Sequence, residues 1–286
     1  MTTVGGEQAD PSTYQLISEH LGEVTKYWLK NTSDQPMHVD QVTLHDWSHE
    51  LSGETIFYGE GYTMLSQTGG TLSSMNDIGE YTDRGHYRLP EPDGFRTVYG
   101  MLTLSPPGKR HLVIGFSSCK RFVGKFHVNE RRIQLVVDCE KKSLAPGQMW
   151  ELEDLFVAEG PNRNELLSRL ANELTARHPR LVFEKLPTGW CSWYCFGPGV
   201  TADNVVDNLR AIAIQAPELR YIQVDDGYQP WMGDWLETGD AFGGDVRDAL
   251  TRIKNEGFEP AIWLAPFVAS PESKLFGEHP DWFVQD

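Results

Sequence analysis

Two adjacent carboxylates, Asp225 and Asp226, follow a short β-favouring run in "YIQVDDGYQPWMGDW", residues 221–235. A glycine and several aromatic side chains come directly after them. Ionised carboxylates only accept hydrogen bonds, so a neighbouring pair suits a ligand with neighbouring hydroxyl donors. Indole and phenol faces suit the apolar C–H patches of a sugar ring. The competing reading is a strand end, a turn and surface charge. The flanking elements decide which reading the local pattern favours.

From Pro187 onward, β-favouring runs alternate with helical periodicity. Strands are expected near 187–194 ("PTGWCSWY"), 221–225 and 259–264 ("EPAIWL"). Helices are expected over "TADNVVDNLRAIAIQ", capped by Thr201, and "DVRDALTRIKNEGF", ending near Gly257. Such alternation implies parallel βαβ units, as in a barrel or a doubly wound sheet. Ligands of these folds sit at the carboxyl ends of the strands. Those ends hold Trp190, Trp193 and Tyr194, then Asp225 and Asp226, then Trp263 and Pro266. Trp231, Asp234 and Trp235 occupy the loop after the second strand. Carboxylates and large aromatics thus gather on one side, which favours a polyhydroxylated ligand.

The preceding half reads differently. Runs such as "HVDQVTLHDW", "TVYGMLTLS", "HLVIGFSS", "RFVGKFHV" and "RRIQLVVDCE" alternate or are β-branched, with "PDG", "PPGK" and "APGQ" as turns. Residues 1–158 are read as an antiparallel β-sandwich domain. "HLVIGFSS", "RFVGKFHV" and "RIQLVVD" are expected to form a meander. Residues 159–186 are read as a linker helix, with Leu166, Leu167, Leu170 and Leu174 at helical spacing and Asn162 or Asn164 as cap. Residues 187–286 then hold three βα units, whereas a complete barrel takes about 250 residues. The expectation is therefore a (β/α)8 barrel of which this chain carries strands one to three.

Composition narrows the class. The 286 residues carry a formal net charge of −16, with 40% hydrophobic and 23% charged residues. A field of that sign disfavours nucleic acid and anionic membrane surfaces. No 18-residue apolar run and no secretory leader are visible, so a cytoplasmic protein is expected. Four cysteines are too few for a disulfide scaffold, and Cys191 and Cys195 lack a histidine partner at zinc spacing. His45 and His49 lie four apart but lack the His-Glu-x-x-His order. No metal and no cofactor are expected.

"GWCSWYCF", "YIQVDDGYQ…GDW", "GFEPAIWLAPF" and "HPDWFV", in this order, resemble the α-galactosidases of glycoside hydrolase family 36. The resemblance implies a β-sandwich ahead of a (β/α)8 barrel and retaining hydrolysis of terminal α-D-galactosides. It implies that Asp225 and Asp226 hold galactose hydroxyls, that Trp263 is a platform, and that Trp190 and Tyr194 line the site. An aromatic from the β domain matches Tyr62 in "EGYTMLSQTGG", although Leu65 stands where a second aromatic belongs. The family's nucleophile and acid/base are expected beyond Asp286, so this chain alone is expected to be inactive. A raffinose-synthase-like galactosyltransferase, an α-N-acetylgalactosaminidase and a non-catalytic carbohydrate-binding protein are the alternatives. A galactoside or oligosaccharide is the expected partner, and self-association follows only from the resemblance.

Overall fold

A computed structural model describes residues 2–4, 7–178 and 186–284. The chain divides into two compact units, Met1–Arg180 and Leu181–Asp286. The first unit opens with β1 (Thr2–Val4), β2 (Glu7–Gln8), β3 (Tyr14–Leu21), β4 (Val24–Asn31) and β5 (Met37–Ser48). It continues with β6 (Ile56–Glu60), β7 (Thr68–Thr71), β8 (Ser74–Asp77), β9 (Arg96–Ser105) and β10 (His111–Phe116). It ends with β11 (Val123–Val128), β12 (Arg132–Leu144), β13 (Met149–Glu151), β14 (Leu155–Gly160) and the helix α1 (Arg163–Arg177).

These strands form one hydrogen-bonded network whose main path is β13-β4-β14-β10-β9-β11-β12-β5-β1-β2. The network bends back over itself. The Tyr27 hydroxyl of β4 lies 2.6 Å from His45 Nε2 of β5, although five strands separate the two along the path. Asn31 of β4 likewise donates to the Leu144 carbonyl of β12 at 2.9 Å. Both ends therefore close on one apolar core that includes Leu29, Val39, Leu104, Phe126, Leu135 and Trp150. Gly100, with φ +68°, marks the point where β9 changes partner. Residues 96–99 pair with β11 and residues 101–104 with β10. Glycine adopts that backbone without a Cβ penalty.

The expected meander is corrected here. β11 and β12 do form a hairpin, but β10 and β11 do not pair with each other; each pairs with a different stretch of β9. Local alternation specifies a strand's buried face, and the partner is chosen by packing of the whole sheet. The expected linker helix is also more than a connection. Leu166 and Leu170 of α1 are buried with Val24, Val113, Phe156 and Ala158 of the sheet. Each leucine contributes about 1.5–3 kcal/mol by burial. Asn162 caps the helix by accepting from the Asn164 and Glu165 amides. Residues 179–185 of the expected linker, Pro179 included, lie outside the described residues.

The second unit contains β15 (Gly189–Cys191), α2 (Trp193–Phe196), α3 (Ala202–Gln215), β16 (Tyr221–Val224), α4 (Val246–Asn255), β17 (Glu259–Ile262) and α5 (Lys274–Glu278). The three strands are parallel, in the order β15-β16-β17. Thr201 and Asn204 form a capping box at α3. Gly257, with φ +90°, follows the end of α4. Val205, Leu209 and Ile212 of α3 and Val246, Ala249 and Ile253 of α4 share one cluster with Ile222 and Val224 of β16. Both long helices thus cover the same side of the sheet. On the other side, Cys191, Tyr221, Gln223 and Ala261 border a hollow of about 350 Å³.

Candidate functional site

Side chains alternate across a strand. Ile222 and Val224 face the helices, so Gln223 and the next residue of that parity, Asp225, face the open side. The register pairs Cys191 with Gln223 and Gln223 with Ala261. The Trp263 amide donates to the Val224 carbonyl at 2.9 Å and carries the register one step past β17. Trp263 therefore shares the parity of Ala261 and stands beside Asp225 at the carboxyl end.

Ser192 ties the first two strand ends together. Its amide donates to the Gln223 carbonyl at 3.1 Å, and its hydroxyl oxygen accepts from the Asp225 amide at 2.9 Å. The chain then turns sharply at Gly227, with φ +116°. A Cβ there would lie 2.4 Å from the Pro198 carbonyl oxygen, so only glycine fits the turn that aims the aspartates.

Asp225 is 7% exposed. Its Oδ2 accepts from Gln223 Nε2 at 2.6 Å and from the Cys191 thiol at 3.3 Å, while Oδ1 accepts from the Asp226 amide at 2.9 Å. Asp226 is half-buried and points into the following turn, where its Oδ1 accepts from Gln229 Nε2 at 2.6 Å. Among the described residues, no lysine or arginine pairs with either carboxylate, and Oδ2 of Asp226 has no donor. Both aspartates thus keep spare acceptor capacity. Burial raises the pKa of the neighbouring Tyr228 phenol, and the Asp226 charge adds to the rise, so Tyr228 stays protonated. Above the turn, the rings of Trp235 and Trp263 meet edge to face at 6.0 Å. Asp234 is engaged elsewhere, facing the amides of Lys274 and Leu275 at 3.3 and 3.4 Å at the start of α5.

Of the residues expected at the site, the structure brings Asp225, Asp226 and Trp263 to one strand end. Trp190 packs in part against the helix-side cluster, 6.4 Å from Phe196 ring to ring, and also borders the hollow with Cys191 and Gln223. The first strand stops at Cys191, short of the expected 194, and Tyr194 falls on the helical turn α2, 88% exposed. Tyr62 belongs to the first unit, where its amide donates to Asp83 and its ring meets Tyr99 at 5.5 Å. Cys191, Ser192, Gln223 and Gln229 were not anticipated. Gln223 is two residues before Asp225, and that period-two spacing is the signal that marks it. His45 contacts Tyr27 and Trp47 inside the first unit, and among the described residues no group of three metal-ligating side chains assembles.

Residues 220–286, which contain this turn and Trp263, match the melibiase family model. The bifunctional α-galactosidase/sucrose kinase of Mediterraneibacter gnavus is 24% identical over 201 residues, 66% of this chain and 20% of that protein. The chain is a relative of the family-36 α-galactosidases. The A type blood α-D-galactosamine galactosaminidase of Flavonifractor plautii is 31% identical over 100 residues, 34% of this chain and 9% of that protein. Among solved structures, the Thermus thermophilus α-galactosidase in complex with p-nitrophenyl α-D-galactopyranoside shares the fold. Its TM-score is 0.66 at 22% identity, over 95% of this chain and 53% of that one. This family-36 relative therefore spans about half the length of that enzyme and a fifth of the Mediterraneibacter gnavus protein.

Proposed function

We infer that the second unit supplies the galactose-holding wall of a retaining α-galactosidase, built on the first three βα units of a (β/α)8 barrel behind a β-sandwich domain. Sequential parallel strands with both long helices on one side support the barrel, since a doubly wound sheet is covered on both faces. The observation that carries the functional reading is the pair Asp225–Asp226, held at a strand end beside Trp263 with free acceptor sites and, among the described residues, no cationic partner. Asp226 offers the more open carboxylate for a sugar diol, and Asp225 offers a single remaining site.

These two residues bind and do not cleave. Retention needs two carboxyl groups about 5–5.5 Å apart on opposite sides of the scissile bond. Asp225 is pinned toward Gln223 and Cys191, and Asp226 diverges toward Gln229. Neither the divergence nor the three donors on Asp225 suit a nucleophile. The 286-residue chain should therefore bind galactose without turning over α-galactosides. Assay of p-nitrophenyl α-D-galactopyranoside hydrolysis tests this: no release above buffer is expected. Turnover abolished by Asp225→Asn would give the aspartates the chemistry itself. A second reading, an α-galactosaminide substrate, draws on the 31% identity to the Flavonifractor plautii enzyme. It predicts tighter binding of galactosamine than of galactose. The four unpaired thiols support a reducing, cytoplasmic setting.

A further inference from the structure

Cys191 and Gln223 lie together on the side of the second-unit sheet that the helices leave uncovered. The Gln223 amide nitrogen is 2.6 Å from Asp225 Oδ2 and 3.7 Å from the Cys191 sulfur, which is itself 3.3 Å from the same oxygen. A carboxylate offers about four lone-pair sites. The thiol, the amide and the Asp226 N–H fill three, and the fourth is on Oδ1. An ionised carboxylate cannot donate, so the thiol is the donor in its contact.

We propose that Cys191 and Gln223 are positioning residues: together they pin Oδ2 of Asp225 so that Oδ1 alone meets a ligand hydroxyl, and the reactivity of the Cys191 thiol reports the charge on Asp225. The ligand half of this rests on the reading of Asp225 as a galactose contact, and the pinning half does not. Burial raises the thiol pKa and the Asp225 carboxylate raises it further, while a backbone hydrogen bond at Trp193 opposes them. The groups facing the thiol are Asp225 from β16, Cys195 from α2 and the Tyr221 phenol lower on the same face. β17 presents Ala261 opposite Gln223 and, at the far end of the strand opposite Tyr221, the charged Glu259; the uncharged Trp263 follows the strand. The hollow beneath Asp225, about 350 Å³ and bordered by Cys191, gives a small reagent access to the sulfur.

Alkylation follows the thiolate, so its pH profile reads this contact directly. The full chain is treated with iodoacetamide from pH 7 to pH 10, and modification at Cys191 is followed by peptide fragmentation, apart from Cys119, Cys139 and Cys195. Asp225→Asn should move the profile to lower pH and speed alkylation at pH 8 several-fold. An unchanged profile overturns the proposal. Galactose affinity is then compared among Cys191→Ala, Cys191→Ser and the unmodified chain. The alanine variant should bind roughly 3–10-fold more weakly, and serine, which retains a donor, should restore binding to within about twofold. Alanine binding as tightly as cysteine would overturn the positioning role. A shifted profile in a chain that binds no galactose would uphold the pinning and sink the galactoside reading instead.

Discussion

Two pairs of adjacent acids, Glu153–Asp154, both buried, and Asp225–Asp226, buried and half-buried, are treated in opposite ways. In the first unit, Glu153 accepts from the Ser118 hydroxyl at 2.5 Å and from the amides of Lys120, Arg121 and Phe122 at 3.1, 2.8 and 2.9 Å. Its neighbour Asp154 pairs with Arg177 of α1 at 2.7 Å. Every acceptor site of Glu153 is filled and Asp154 has its cation, so the pair knits the loop 117–122 and the helix to the sheet. Asp225 and Asp226 in the second unit have donors enough to fix their direction, yet among the described residues they have no cation and keep open sites. Two adjacent acids at a strand end are alike in sequence. What separates a structural pair from a binding pair is the capacity left over after folding.

The largest expected effect breaks the saturated pair. Glu153→Ala leaves three backbone amides and a hydroxyl without their acceptor and should cost roughly 3–5 kcal/mol of stability. A loss below about 1 kcal/mol in denaturant unfolding would show that this carboxylate does not hold the loop. The next effect, on pH, belongs to the same unit. Burial, helped by the Lys125 charge and opposed by Asp138, lowers the pKa of His127 from 6.5 to about 4. The folded state prefers the neutral imidazole, so its contribution is full above pH 6.5 and is lost as pH falls toward 4. The loss amounts to roughly 3 kcal/mol. Unfolding midpoints measured between pH 7 and pH 4 should fall steeply in the unmodified chain and less in His127→Gln. Equal slopes would remove His127 as the cause.

Smaller effects sharpen the open pair. Gly227→Ala places a Cβ against the Pro198 carbonyl at positive φ and should cost about 2–3 kcal/mol, with the aspartates displaced. Retention of both stability and galactose binding in that variant would mean the turn does not aim the site. Asp226→Ala removes an under-used acceptor. It should leave the unfolding midpoint nearly unchanged while costing about 1.5 kcal/mol of galactose binding, roughly tenfold in affinity. A stability loss like that of Glu153→Ala would erase the contrast between the two pairs.

Features carried by local chemistry were legible in the sequence. Asn162 and Thr201 announce their helices, Gly257 ends one, and strand–helix alternation announces the parallel sheet. The aspartates and Trp263 follow from where strands of such a sheet end. Features that depend on register or partner choice were not legible. Trp190 and Cys191 are adjacent, and which of them meets Asp225 depends on how β15 aligns with β16. The early end of β15 is a Ser192 effect, a helical backbone supported by a bond to another strand, and it moves Tyr194 onto a turn. The pairing of β9 with both β10 and β11, on successive stretches, is likewise a property of the whole sheet. Cys191 and Gln223 gain their meaning only when Asp225 is set against both.

The central claim is that Asp225 and Asp226 hold the hydroxyls of a galactose ring. Saturation-transfer NMR of galactose with the 286-residue chain, set beside the Asp226→Ala and Asp225→Asn variants, tests it most directly, because the method detects weak ligands and needs no turnover. The account predicts transfer to the galactose ring protons in the unmodified chain and its loss in both variants, each still folded. Undiminished transfer in the folded variants would contradict it.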